Sequence, residues 1–153
     1  MTISVKGGLT AEEIAKLAGG KLVNPGNVRI NSITTDSRDV PRGALFIAIR
    51  GDRFDGNDYV VPAFENGAVC ALAERVPENF PGCVIVVEDT KKALGILAKT
   101  YKEKINPLTV AVTGSVGKTT TKEFIYAVLS EKYHTPKTFG NYNNEIGLPM
   151  TLL

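Results

Sequence analysis

Long apolar runs, charge of one sign, cysteine and histidine are all scarce in this 153-residue sequence. No apolar stretch approaches the roughly 18 residues that cross a bilayer, and the opening MTISVKGGLT lacks the apolar core of a secretory signal. A cytoplasmic location is therefore expected. The net charge is only +2, from 18 Lys and Arg against 16 Asp and Glu, which excludes the concentrated basic face of a dedicated nucleic-acid binder. Two cysteines, Cys70 and Cys83, sit inside apolar strand-like runs without metal-ligand spacing and read as reduced packing residues. The single histidine, His134, follows Tyr133 near a helix end and reads as solvated or structural rather than catalytic. What is present, 43% hydrophobic and 22% charged residues, describes a globular chain and not a disordered one.

The first clear element is a helix that begins at Thr10, with Glu13 three positions on to complete a capping box and Gly19-Gly20 to stop it. Ala11, Ile14, Ala15 and Ala18 share one face, so the helix should lie on a sheet. Val28 and Ile30 alternate with polar neighbours as in a half-buried strand. Ala44 to Ile49 is an unbroken apolar run suited to a strand covered on both sides. A second helix is expected over about 59 to 66 with Asp58 as cap and Pro62 in its first turn. Strands are expected at about 68 to 73 and 83 to 87. Asp89 or Thr90 then caps a helix with Ala93, Leu94, Leu97, Ala98 and Tyr101 on one stripe, ending before Asn106-Pro107. This alternation predicts an α/β domain over about residues 1 to 100, with no internal repeat.

Beyond Pro107 the pattern changes. Leu108 to Val112 reads as a buried strand, Thr113 to Lys118 as a glycine-containing turn, and Thr119 to about Glu131 as a helix with Phe124, Val128 and Leu129 apolar. A parallel strand buried on both faces needs neighbours, and residues 108 to 153 offer at most one more short strand, near Thr135 to Phe139. This second domain is expected to be incomplete, with an open sheet edge that invites association.

The segment Thr113-Gly114-Ser115-Val116-Gly117-Lys118-Thr119-Thr120, between a strand and a helix, has the context of a phosphate loop. Glycines let backbone amides turn inward, the helix N-terminus adds partial positive charge, and Lys118 brings a mobile cation to the β and γ phosphates of ATP. Thr119 can offer its hydroxyl to Mg²⁺. The spacing is shorter than G-x-x-x-x-G-K-[ST], since Val112 stands where the first glycine should be and Gly114 opens a G-x-x-G-K-T. The competing reading is a glycine turn that merely opens a helix.

The loop TGSVGKTTTKE, Thr113 to Glu123, resembles that of the ATP-dependent Mur ligases and their folylpolyglutamate synthetase relatives. The stretch Gly140-Asn141-Tyr142-Asn143-Asn144-Glu145-Ile146-Gly147-Leu148-Pro149 is similar to the GN-x-NN-x-IG-x-P segment of the family branch that joins D-alanyl-D-alanine to UDP-MurNAc-tripeptide. Upstream, Thr35-Asp36-Ser37-Arg38, Gly43-Ala44-Leu45-Phe46, Gly51 and Phe54-Asp55-Gly56 resemble the family's uridine-nucleotide domain.

The resemblance implies a mixed-sheet UDP-MurNAc-peptide-binding domain over 1–104, then, over 105–153, the first strand, P-loop and helix of the central ATP-binding domain. It implies ATP and Mg²⁺ as cofactors, UDP-MurNAc-tripeptide and D-alanyl-D-alanine as substrates, and amide-bond formation through an acyl phosphate in peptidoglycan precursor synthesis. Residues 113 to 120 would hold nucleotide, with Lys118 and Thr119 catalytic and Thr119 on the metal. Ser37, Arg38, Asp55, Gly56, Asn141 and Asn144 would hold substrate. A hydroxyl and a guanidinium after a strand end suit pyrophosphate or uracil oxygens, and a capped turn with a surface arginine is the alternative. Asn57 replaces the histidine that often follows Asp-Gly in the family, so a histidine contact does not carry over. Asn141, Asn143 and Asn144 could touch phosphate, Mg²⁺ waters or the muramoyl peptide, or simply build turns. Other readings are the branch that adds a diamino acid to the dipeptide precursor, and a nucleotide- or UDP-sugar-binding module without chemistry. The 153 residues alone are expected to be inactive.

Overall fold

In the computed structural model, which describes residues 2–140, 142 and 144–153, a six-stranded sheet carries the chain. In chain order come β1 (Thr2–Thr10), α1 (Ala11–Ala18), β2 (Lys21–Val23), β3 (Arg29–Thr34) and β4 (Ala44–Ile47). A 3-10 turn (Gly56–Tyr59) leads to α2 (Val60–Glu65), β5 (Ala68–Ala73), β6 (Cys83–Val86) and α3 (Thr90–Ile105), followed by α4 (Lys118–Ser130) and α5 (Gly147–Leu152). The strand order is β1-β3-β4-β5-β6-β2. From β3 to β6 neighbours run parallel, and β1 and β2 close the edges antiparallel, so the sheet is mixed as expected.

Alternation along the central strands divides two cores. Leu45, Ile47, Cys70, Leu72 and Ile85 face α1 and α3, where they meet Ile14, Leu94 and Leu97. Ala44, Phe46, Ala71 and Val84 face the other way, toward Val60 and Ala63 of α2. The run Ala44 to Ile49 is thus covered on both sides, as its composition requires. Cys70 and Cys83 are register partners on β5 and β6, buried and unlinked, with sulfurs 3.4 Å apart. They pack, as expected.

Local signals explain the helix ends. Thr10 Oγ1 accepts from the Glu13 amide at 3.1 Å and the Glu13 carboxylate accepts from the Thr10 amide at 2.8 Å, closing the capping box. Gly19 ends α1 at φ +68°, a left-handed conformation that suits glycine. Asp89 caps α3 by accepting from the Lys92 amide at 2.9 Å, and Asn106 ends it in the left-handed region. Between β4 and α2 the cap is Asp55 rather than Asp58. It accepts from the Asn57 amide at 2.9 Å and starts the 3-10 turn, while α2 has no side-chain cap.

The segment past Pro107 departs from expectation in three places. Leu108 to Val112 forms no strand: Leu108 is 97% exposed and Val110 55%, because among the described residues no strand lies beside it to take its hydrogen bonds. Thr135 to Phe139 is likewise irregular, and α4 buries none of its residues. Conversely, α5 forms where no element was expected and packs on α3, with Met150 fully buried in the α1–α3 core and Ile146 and Leu153 against it.

Met150→Ala should therefore lower the unfolding free energy by about 2–5 kcal/mol, whereas Val110→Thr should change it by less than about 0.5 kcal/mol. Urea unfolding followed by circular dichroism checks both. A neutral Met150→Ala would remove α5 from the core.

Candidate active site

Parallel strands align their carboxyl ends, and ligand sites of open α/β sheets lie there. All four segments that leave this edge carry polar residues: 35–38 after β3, 50–56 after β4, 74–75 after β5 and 88–89 after β6. Ser37 and Arg38 are thus brought to the same edge as Asp55 and Gly56. The Thr34 hydroxyl accepts from the Asp36 amide at 3.1 Å, and Asn66 at the end of α2 donates from Nδ2 to the Ser37 carbonyl at 2.8 Å, which fixes the first of these turns.

Arg38 is engaged within its own turn. Its Nε and Nη2 donate to the Asp36 carboxylate at 2.9 and 2.8 Å, a two-point fork, while the side chain stays 86% exposed. Those bonds hold the Asp36 carboxyl well below the usual carboxylate range. The fork fixes the guanidinium plane and uses Nε and Nη2, leaving Nη1 outside it.

Asp55 anchors a larger network that the sequence did not reveal. Its Oδ1 accepts from the Asn57 amide at 2.9 Å and side chain at 2.6 Å, and its Oδ2 accepts from Arg75 at 2.9 Å. Arg75 also donates to Asp58 at 2.5 Å. These bonds, with those from Asn57 the largest cause, bring the Asp55 carboxyl down to about 2. Asn57 is buried and accepts the Glu74 amide at 2.7 Å through Oδ1, so it ties the β4 loop to the end of β5. Gly56 is required beside it, since a Cβ there would stand 2.4 Å from the Ile49 carbonyl. Asp55 and Gly56 thus build the turn, and no ligand-facing group of theirs is left over except the outer edge of the Asp55–Arg75 pair. A polar cleft of about 390 Å³ opens next to this network, lined by Arg50, Gly51, Asp52, Glu74, Glu88, Asp89 and Lys91. None of the predicted substrate residues lines it. Lys91 on its rim pairs with Glu145 at 2.9 Å, joining the asparagine segment to α3.

The second locus is the loop before α4. Gly114 and Gly117 take φ +144° and +80°, and no atom stands within 4 Å of a Cβ built on Gly117. Residues 113 to 120, including Ser115, Val116 and Thr120, are exposed. Gly117 caps α4 without a side chain, so the amides of Lys118, Thr119 and Thr120 have no intrahelical acceptor. The Lys118 ammonium donates to the Gly114 carbonyl of its own loop. Open glycines, uncapped amides at a helix N-terminus and a lysine folded across them fit a phosphate chain. Thr119 is exposed one residue into the helix, where a hydroxyl can serve a hard cation.

Asn144 resolves toward the turn. Its Oδ1 accepts from the amides of Ile146 at 3.2 Å and Gly147 at 2.7 Å, which starts α5. Asn141 and Asn143 lie outside the described residues.

Residues 29–102 match the sequence profile described as Mur ligase family, catalytic domain, and residues 112–153 match the Mur ligase middle domain. The chain belongs to the Mur ligase family. Among Mur ligases, the UDP-N-acetylmuramoyl-tripeptide–D-alanyl-D-alanine ligase of Bacillus subtilis is 45% identical over 94% of this chain and 32% of its own length. The protein of that name from Escherichia coli is 38% identical over 95% of this chain and 32% of its own. The solved Acinetobacter baumannii UDP-N-acetylmuramoylalanyl-D-glutamyl-2,6-diaminopimelate–D-alanyl-D-alanyl ligase superposes with TM-score 0.87 at 38% identity, covering 95% of this chain and 33% of that one. Thermotoga maritima MurF ligase, solved in complex with ADP, gives TM-score 0.66 at 40% identity over 78% of this chain and 28% of that one. The chain spans about a third of the length of the Mur ligases it matches. The mixed α/β architecture expected of the family is the one observed. Among the described residues no helix is long and apolar enough to cross a membrane.

The depressed Asp55 carboxyl has a signed consequence. A carboxylate whose folded-state pKa lies below its ordinary 3.8 stabilises the fold above that value, and its contribution is lost as pH falls toward about 2. The stability difference between the protein and Asp55→Asn should accordingly be full at pH 6 and shrink between about pH 4 and 2. Urea titrations across that range check it, and a pH-independent difference would exclude the network as its source.

Proposed function

We propose that this chain forms the UDP-substrate unit and the phosphate loop of an ATP-dependent amide-bond ligase of peptidoglycan precursor synthesis. In this reading residues 1–104 bind UDP-MurNAc-tripeptide and residues 105–153 begin the central ATP-binding domain. The acceptor is D-alanyl-D-alanine. The observation that carries the reading is the loop 113–120, with open left-handed glycines, uncapped helix amides and Lys118 laid across them. The names of the relatives support the choice of substrates.

A carboxylate resists attack by an amine until one oxygen becomes a leaving group, and a phosphoryl group from ATP converts it to an acyl phosphate. The amine of D-alanyl-D-alanine then displaces phosphate. The residues here would supply positioning and charge. The amides of 118–120 and Lys118 hold the phosphate chain against the charge it develops, which is usually the largest catalytic contribution in such transfers. Thr119 would hold Mg²⁺, which neutralises phosphate oxygens. Ser37 and Arg38, on the turn fixed by Asn66, would meet the uridine-nucleotide end, with Asp55 and Gly56 shaping the neighbouring loop rather than donating to the ligand. In this reading Asn141 and Asn144 would contact substrate, with Asn144 also starting α5. The reaction is a cytoplasmic one in this reading, with nucleotide-linked substrates.

Three measurements test it. Titration calorimetry with UDP-MurNAc-peptide should show binding that Arg38→Ala weakens roughly tenfold or more, as loss of a charge-assisted hydrogen bond does. Equal affinity removes Arg38 from the site. A chain extended to the length of the relatives should release ADP from ATP with UDP-MurNAc-tripeptide and D-alanyl-D-alanine, and Lys118→Ala should abolish the release. Product formed instead from a free diamino acid and UDP-MurNAc-dipeptide moves the assignment to that branch. The 153 residues alone should release none, since residues 108–112, which lead into the loop, lack a sheet to support them and the reacting groups lack the proximity worth roughly 7–11 kcal/mol.

A further inference from the structure

Helix α4 carries two lysines four residues apart, on one face, and their ammonium groups are engaged in different ways. Lys118 is exposed and rests on the Gly114 carbonyl, a contact that a phosphate oxygen can replace. Lys122 is only 19% exposed. It donates to the carbonyls of Thr138 at 2.7 Å and Gly140 at 3.1 Å and pairs with the Glu123 carboxylate at 3.3 Å. An ammonium has three donors and accepts nothing, so this set commits all of Lys122 and leaves none for a ligand. Glu123 gives its other oxygen to Lys137, whose ammonium lies 3.8 Å from the centre of the Tyr126 ring on α4. The strap 137–140 is therefore bound to the helix that begins at the phosphate loop, across 16 and 18 residues of chain. It ends in a tight turn: Gly140 is left-handed at φ +52°, the Tyr142 amide donates to the Phe139 carbonyl at 3.1 Å, and the two rings stack at 6.2 Å.

We propose that Lys122 is a positioning residue of the nucleotide site: it fixes the strap 138–140, and with it the entry to the asparagine segment, beside the phosphate-loop helix without touching the nucleotide. The proposal rests on the nucleotide reading of residues 113–120. An uncharged side chain at 122 frees two carbonyls and leaves Glu123 to Lys137 alone. The strap then loses its hold on α4, while the first turn of the helix, the loop glycines and Lys118 keep their geometry. Affinity for Mg·ATP falls through the displaced strap. Its dependence on salt persists, because the cation that meets the phosphates is still Lys118.

The experiment compares the protein with Lys122→Met, Lys122→Arg and Lys118→Ala, using a fluorescent ATP analogue with Mg²⁺ at two salt concentrations and amide hydrogen exchange on the same samples. Lys122→Met should weaken binding about tenfold with an unchanged salt dependence, and should accelerate exchange at least tenfold over 138–142 while the sheet amides stay protected. Lys122→Arg, which retains charge and donors, should recover most of both. Lys118→Ala should lose binding and leave strap exchange unaltered. Lys122→Met that binds as the protein does, or that loses salt dependence as a phosphate ligand would, overturns the positioning role alone. Faster exchange spread evenly through the chain also overturns it, as general destabilisation. A protein that binds no Mg·ATP at all, with or without Lys118, overturns the nucleotide reading and this proposal together.

Discussion

A β-strand buried on both faces must have its backbone hydrogen bonds taken up by neighbouring strands, and this requirement orders the whole chain. Strands β3 to β6 meet it by pairing in parallel, and β1 and β2 complete the two edges. Parallel pairing then forces every carboxyl end to one side, so the turns that carry Asp36, Ser37 and Arg38, Asp55 and Gly56, and Glu74 and Arg75 converge without any contact having been needed to bring them there. The same requirement left unmet accounts for Leu108 to Val112. These residues have the composition of a central strand and the exposure of a surface loop, because composition proposes a strand and only a partner makes one.

What the sequence disclosed follows the range of the interaction. Capping at Thr10 and Asp89 and the glycine stop at Gly19 involve residues within four positions, and each is visible in a short window. The glycine loop 113–120 before α4 is local too. The central strands were legible from their apolar runs, whereas β1 keeps alternation only over Thr2 to Val5 before Gly7-Gly8 interrupts it, and β2 has three residues. Neither edge announces itself. The polar network of the site was hidden for a related reason. Arg75 meets Asp55 across 20 positions, and Asn57 meets the Glu74 amide across 17, so no spacing rule marks them. Asn57 carried one clue: it stands where the family often has histidine, and the structure gives the substitution a role, as a buried carboxamide that serves an amide and a carboxylate at once.

The charges at the carboxyl edge stabilise little as isolated pairs. Arg38–Asp36 and Arg75–Asp58 are largely exposed, and such pairs are worth small amounts in water. Their value is geometric. Asp36 fixes the guanidinium plane of Arg38 through two bonds within one turn. Arg75, held by two carboxylates from one turn, pins that turn to the end of β5. The turns are thus ordered by local ion pairs while their outer faces remain open to solvent, the arrangement a preorganised anion site needs.

Helix α4 and helix α5 show the two ways in which the segment beyond Pro107 is held. Helix α4 buries nothing, has no side-chain cap and is held to the strap by the bonds of Lys122 and Lys137, whereas α5 places Met150 in the core beneath α3. The asparagine segment lies between them. Its flanks are tied at one end to α4, through the Lys122 bonds to Thr138 and Gly140, and at the other to α3 and the sheet core, through Met150 and the Lys91–Glu145 pair, whose lysine lines the cleft at the carboxyl edge. The segment's asparagine-rich composition has a structural use at Asn144, whose side-chain oxygen accepts from the Ile146 and Gly147 amides and so starts α5, the helix that places Met150 in the core.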